Sequence, residues 1–272
     1  MPQIDIMLEL LLAAWLIFTL LEARFPARPS QGLVTRHTAT DFACMAVNRL
    51  IMAPGATIIW TLLLLYVLQP YAPHHLIAHA IKSWPGVTQF AAGCFLLDLA
   101  QYLRHRFMHA FFWPFHATHH SAVEMRASVH WRLHPVDYAL IAFIDPLFLY
   151  VLGFDTRAIL VAQVFMAINN MWLHTNLDAG YGVLRQIFVS PNYHKWHHAK
   201  AREAVDKNFA DLFVFLDVLG GTYYQPPHSP EYYGVCGIEP EAPLHRNYWG
   251  ALVYPVQKAK ELQAARREKQ TS

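Results

Sequence analysis

Apolar residues in this chain come in long blocks, without the strict alternation of a half-buried strand. The first block runs from Ile4 to Leu21 and is interrupted only by Asp5 at its start and Glu9 one turn in. That is close to the ~20 residues needed to cross a hydrocarbon core. A second block covers about 42–68 and a third about 87–103, where Asp98 and Gln101 interrupt an otherwise apolar helix. A fourth stretch, about 136–172, is broken by GFDTR at 153–157 into two shorter halves. These halves either cross and return or dip in as a re-entrant hairpin. The pattern predicts an all-α protein, an integral membrane helical bundle forming one domain over 1–272.

The connections between blocks predict sidedness. The segment after the first block carries Arg24, Arg28 and Arg36, and the segment after the second carries only Lys82. Positive charge favours the cytoplasmic side, so the N-terminus is expected outside and the residues after the third block inside. An even number of crossings through 136–172 returns the chain to that inner face. The first block lacks a basic leader and a small-residue cleavage site, so it is expected to be a retained span. The end of the chain, QKAKELQAARREKQ, is basic and helical in pattern, as suits a cytosolic surface.

Composition narrows the function classes. Of 272 residues, 55% are hydrophobic and 15% charged, and the mean hydropathy of +0.20 is high for a soluble domain. A formal net charge of +2 with no base-reading motif excludes a nucleic-acid partner. Cys44, Cys94 and Cys236 stand far apart, so neither a disulfide framework nor a zinc ribbon is expected. Histidine is the departure: there are 17, against 19 carboxylates, and most lie between His105 and His198.

Those histidines repeat a spacing. HRFMH sets His105 and His109 at i, i+4, on one helix face. HATHHS sets His116, His119 and His120 at i, i+3 and i+4, and HKWHH repeats this with His194, His197 and His198. A pair at i, i+3 or i, i+4 aims at a common centre, while an adjacent histidine lies ~100° around the helix and reaches another. Eight imidazoles in this pattern suit two nearby metals better than one, although ligand type alone admits iron, zinc, copper or nickel. His134, in WRLHP, and His174, in WLHTN, sit at the ends of apolar stretches on the same face. Each is a candidate further ligand, with a hydrogen-bonded interfacial histidine as the alternative. His37, His74, His75, His79, His228 and His245 are expected to be surface or interfacial residues.

Carboxylates are few enough to be informative. Asp98 lies on the face of His105 and is expected to orient a ligand imidazole, or else to pair with Arg104 or Arg106. Asp206 and Asn208, in VDKNF, are expected to form a turn whose side chains bond backbone or a ligand histidine, the alternative being plain turn formers. The E-x-x-H pairs of carboxylate-bridged bundles and the H-E-x-x-H of zinc proteases are both missing. A haem needs only one or two axial histidines and explains too little of the pattern.

In order and spacing, DLAQYLRHRFMH, FHATHHS, WRLHP, WLHTN, SPNYHKWHH, VDKNFADLF and LGGTYY resemble the fatty acid hydroxylase superfamily, which includes the sterol desaturases and other histidine-box enzymes of membranes. The likeness covers about 98–224. It implies a histidine-rich cap on the cytoplasmic face in which His105, His109, His116, His119, His120, His194, His197 and His198 hold two iron ions as the catalytic centre, with His134 and His174 as candidates for extra ligands. It implies an oxidoreductase that uses O2 to hydroxylate or desaturate an unactivated C–H bond of a lipid drawn from the bilayer. No nucleotide fingerprint, iron–sulfur cysteines or haem segment is present, so a separate ferredoxin- or cytochrome-type donor is expected. Zinc can replace such iron on purification. One departure is Gly220 in LGGTYY, where relatives often carry an aromatic residue; it is expected to loosen a turn near the site. The rival reading is a zinc-dependent membrane hydrolase acting on a lipid amide or ester.

Overall fold

The structure, a computed structural model, describes the backbone of residues 2–68 and 76–271 and the side chains of 8–68 and 77–265. Among these residues the chain is all-α, with strand-like pairing confined to isolated bridges such as Phe188 with Phe213. The four apolar blocks become five long helical segments. α1 is Pro2–Arg24; α2, Arg36–Val47, continues through a π turn into α3, Ala53–Leu63. A short α4, Leu76–Lys82, leads to α5, Gly86–Phe111, and the broken fourth block forms α7, Pro135–Leu152, and α8, Thr156–Leu173.

Among the described residues two helical segments, Arg36–Leu68 and Pro135–Leu152, are by length and composition apolar enough to cross a membrane. Their outward faces match that character: Ile51, Ile58, Ile59, Leu62 and Leu65 are exposed, as are Leu10, Leu16, Ile17 and Leu20 on α1. Contiguous apolar surface of this extent marks an interaction surface, here one suited to lipid. α7 and α8 are each 18 residues long and meet in a tight turn at Gly153, whose φ of 94° suits glycine. A Cβ there would lie 2.5 Å from the Cβ of Ala78, so α4 closes directly over the turn. The Asp155 side chain then caps α8 by accepting the amide of Arg157 at 2.8 Å.

α5 is the central helix and packs along both α7 and α8. Leu97, Leu149, Ala162 and Met166 form the buried core between them. The end of α1, the start of α2, the end of α5, the start of α7 and the end of α8 all gather at one end of the bundle. There Glu22 accepts the amides of Ala127 and Asn176, each at 2.9 Å. Fully buried Arg132 donates to Asp41 at 2.6 Å and to the carbonyl of His37 at 2.7 Å. Removing one partner of such a buried pair costs ~3–5 kcal/mol, so this loop is held firmly. A cap is built on the same end from α6 (Trp113–His120), α9 (Pro191–His197), α10 (Phe215–Leu219), α11 (Pro243–Arg246) and α12 (Tyr248–Thr271).

Two expectations change here. His37 and His245 are buried, not superficial, because the strand-less C-terminal segment folds back against α2; His245 accepts the amide of Val235. Gly220 does not loosen a turn: a Cβ there would lie 1.7 Å from the Tyr102 hydroxyl, so the bare backbone lets that tyrosine bond Thr222 at 3.1 Å. His74 and His75 lie outside the described residues.

Candidate metal centre

The first histidine box sits near the end of the long α5, and the other two on short helices. α5 runs beyond the expected 103 to Phe111, which places His105 and His109 one turn apart on a continuous helix. α6 and α9 both begin with proline in the first turn, and Ser190 caps α9 by accepting the amide of Tyr193. Two groups of rings result. Potential ligand atoms of His105, His109, His116, His120 and His197 all lie within 4.8 Å of one another, as do those of His119, His174, His194 and His198. The two groups touch, with the rings of His120 and His198 stacked at 4.7 Å.

Within each triplet the i, i+4 members stay together and the i+3 member crosses over. His116 and His120 join the first group while His119 joins the second; His194 and His198 join the second while His197 joins the first. The two helices are thereby interlocked through both groups. His174, at the C-terminal end of α8, completes the second group. His134 joins neither. Its Nδ1 caps α7 by accepting the amide of Val136 at 3.1 Å, and its Nε2 faces the carbonyl of Leu252.

The first group is held from behind. His105 Nδ1 faces the carbonyl of Phe209 at 3.1 Å, His197 Nδ1 that of Lys207 at 2.7 Å, His109 Nδ1 the Asp206 carboxylate at 2.9 Å, and His116 Nδ1 the Asp137 carboxylate at 2.7 Å. These acceptors place the proton on Nδ1 and leave the Nε2 lone pair for the interior. Three of the four acceptors come from VDKNF. Asp206 and Asn208 adopt φ of 58° and 59°, which aspartate and asparagine tolerate better than other side chains. Asn208 makes no ligand contact; it donates to the carbonyls of Tyr193 and Tyr224 and accepts the amide of Tyr224, tying the turn to α9.

Asp98 acts one step further back than expected. It meets neither a ligand imidazole nor an arginine; it accepts the amides of Asp211, Leu212 and Phe213 at 2.9, 3.0 and 2.7 Å. Buried Asp217 does the same for Phe209 and Ala210 and also accepts from Tyr193 and Thr222. Two carboxylates therefore pin the segment that supplies the first group's acceptors. Asp137 and Asp217 were not singled out from the sequence. Asp137 stands three residues after His134 on a helix start, a weak signal available only once α7 is known to face α6.

Burial, and then the neighbouring rings, push His119, His120, His194 and His198 well below the ordinary histidine range; burial pushes His174 down to about 3. Burial thus favours the neutral imidazole, the state a metal requires. In the second group the Nε2 atoms of His119, His194 and His198 stand 3.1, 3.2 and 3.1 Å from that of His174. Metal–nitrogen bonds of ~2.0–2.1 Å in a tetrahedron imply nitrogen–nitrogen edges of about 3.4 Å, near these values. Nε2 of His105, His116 and His197 and Nδ1 of His119, His194 and His198 are buried with no hydrogen-bond partner. Each such atom costs ~1–3 kcal/mol, so the inward lone pairs of the first group call for an electrophile. The donor set fits a pair of imidazole-bound metal ions.

Known proteins resemble the part of the chain that holds the boxes. Residues 90–222 match the model of the fatty acid hydroxylase family, close to the expected 98–224. Ornithine lipid hydroxylase OlsE of Rhizobium tropici is 31% identical over 147 residues, covering 53% of this chain and 44% of the relative. Alkylglycerol monooxygenase of Caenorhabditis elegans is 30% identical over 148 residues, 53% of this chain and 29% of the relative. The human alkylglycerol monooxygenase is 29% identical over 130 residues, 47% and 28% of the two chains. The match thus spans less than half the length of each of these relatives. No solved structure matches. The matched region, with the histidine boxes inside it, belongs to the fatty acid hydroxylase superfamily.

Proposed function

We propose that the protein is an integral membrane oxygenase that uses two iron ions, O2 and electrons from a separate ferredoxin- or cytochrome-type donor to oxidise an unactivated C–H bond of a lipid. The observation that carries the reading is the pair of touching histidine groups, nine imidazoles with no carboxylate among their clustered ligand atoms. Relatives named as a lipid hydroxylase and as alkylglycerol monooxygenases support the reaction class. When bound, the iron pair supplies oxygen activation and removal of hydrogen from the C–H bond.

The chain's own residues set up that reaction. Asp206, Asp137 and the carbonyls of Lys207 and Phe209 hold Nδ1 protons outward, so the Nε2 lone pairs stay aimed at the ions. The buried position of the rings keeps bulk water away from a strongly oxidising centre. His105 and His116 of the first group and His119 and His194 of the second all line one cavity of about 140 Å³ between α5, α7 and α8. A substrate carbon in that cavity would face histidines of both groups. Arg24, Arg28 and Arg36 beside the cap favour a multi-pass topology with the histidines on the cytoplasmic face and the N-terminus outside.

Metal analysis of protein purified anaerobically in mild detergent tests the proposal. Two irons per chain, with oxygen from labelled O2 in the lipid product, is the expected result. One zinc, with turnover independent of O2 and reductant, would replace the oxygenase by the hydrolase. Two zincs would call for reconstitution with ferrous iron before the same product assay. Labelling of Glu203→Cys, in the exposed loop after the third box, is expected only from the cytoplasmic side.

A further inference from the structure

The segment after the third box does not stay on the cap; it runs down the outside of α5 and back. Phe209 starts at the level of His105, whose Nδ1 faces its carbonyl at 3.1 Å. Asp211, Leu212 and Phe213 meet Asp98, and the rings of Phe213 and Phe215 each lie 6.1 Å from that of Phe95. The chain then climbs to Gly220, whose carbonyl accepts from Arg106 at 3.3 Å, and to Thr222 beside the Tyr102 hydroxyl. From His105 back to Phe95 is ~15 Å along a helix axis at ~1.5 Å per residue. Phe95 stands midway along the third apolar block, so the segment passes below the histidines to the depth at which α5 is apolar.

Its surface and its hydrogen bonds both fit that depth. On α10, Phe215, Val218 and Leu219 face outward, Leu219 with 80% exposure. The 182–188 segment lies alongside, joined by the bridge of Phe188 with Phe213 and by the amides of Val189 and Val214, which donate to the carbonyls of Leu212 and Ile187. It adds Val183, 88% exposed, with Leu184 and Ile187. The patch continues into an exposed row of α5, Phe95, Leu103, Phe107 and Phe111, spaced at multiples of four. Hydrocarbon offers no water to bond, so a non-helical stretch within it must have its backbone groups paired by protein. Every amide from Phe209 to Val214 is paired: Asp217 accepts the first two, Asp98 the next three and the Ile187 carbonyl the last. A carboxylate inside an apolar helix is costly, and three amides at its own depth offset that cost for Asp98. Arg106 and exposed Tyr223, where the segment returns, are residue types of the headgroup level.

We propose that α10 and the 182–188 segment are embedded in the leaflet on the histidine side, so that acyl chains of the bilayer, and not water, cover this part of the cap. The placement rests on the membrane reading of the protein and goes beyond it. The cap is not held clear of the lipid on its spans; it is seated in the leaflet. The turn that carries the acceptors behind the first histidine group runs directly into the seated segment. Lipid is favoured over a second copy of the chain because the patch is continuous with the outward row of α5 at the same depth.

The test uses full-length protein in phosphatidylcholine nanodiscs, with the exposed native thiol removed by Cys236→Ser; Cys44 and Cys94 are buried. Leu219→Cys and Val183→Cys each carry a bimane fluorophore, with Ile58→Cys on α3 as the lipid reference and Glu203→Cys as the aqueous one. Doxyl-labelled phosphatidylcholine is expected to quench the labels at 219 and 183 within twofold of that at 58 and at least threefold more than that at 203. Iodide in the buffer is expected to rank them the other way. Labels at 219 and 183 that behave like 203, while 58 behaves as in lipid, would overturn the embedding and leave the membrane reading standing. Shielding of both from either quencher would mean that protein covers the patch, and would overturn it too. Aqueous behaviour at 58 as well would sink the membrane reading and the embedding together.

Discussion

The two histidine groups are built from the same residue type at the same depth, yet they are held differently. Four of the five rings in the first group have an acceptor behind Nδ1: two carboxylates and two backbone carbonyls. In the second group only His174 has one, the carbonyl of Asn170 at 2.6 Å, and Nδ1 of His119, His194 and His198 has none. The first group is therefore preorganised, its tautomers and ring angles fixed before any ion arrives. The second can rotate its rings at little cost in hydrogen bonding. Support behind the ligands, rather than ligand number, distinguishes the two centres.

The largest effects come from the crossed-over members. His197→Ala is expected to empty the first group and His119→Ala the second, each lowering metal content from two ions toward one and activity by at least a hundredfold. Iron counted per chain, with a spectrum of the ion that remains, checks this; identical residual spectra would break the assignment of these rings to different groups. His228→Ala, at an exposed histidine, is the unaffected control.

Next in size is the loss of support. Asp206→Asn and Asp137→Asn are each expected to weaken metal binding in the first group by ~10–100-fold, read as competition with a chelator. In wild-type protein the same chelator is expected to remove the second group's ion faster, in a two-phase release. A single phase would show that the difference in support has no consequence for affinity.

The smallest effects fall on residues outside both groups. His134→Ala removes a helix cap and is expected to cost ~1 kcal/mol of stability with two metals retained. Loss of a metal ion would return His134 to the ligand set. Gly220→Ala, which drives a methyl into Tyr102, is expected to cost ~1–3 kcal/mol by overpacking, read as a lower unfolding midpoint.

Spacing carried much of the site. The eight box histidines are recognisable because i, i+3 and i+4 positions share a helix face, a relation that is local and survives any tertiary arrangement. The Asp206–His109 contact was partly legible, since an Asp–x–Asn turn eight residues after a box has few places to put its side chains. Asp98 was misplaced because helical phase shows which face a carboxylate occupies but not which segment packs there. Its partners are amides more than a hundred residues away. The same reason hid Asp137 and Asp217, and it left His134 and His174 equivalent until one proved to be a cap and the other a member of the second group.

The sequence by itself determined the helical class, the long apolar blocks and the identity of the box histidines, because each depends on periodicity within a few turns of chain. Only the tertiary structure decided how nine rings divide into two groups and which carboxylates stand behind them. Those depend on the meeting of α5, α6, α8, α9 and the 206–217 segment. Contacts between segments so far apart are set by packing, and packing leaves no local period to read.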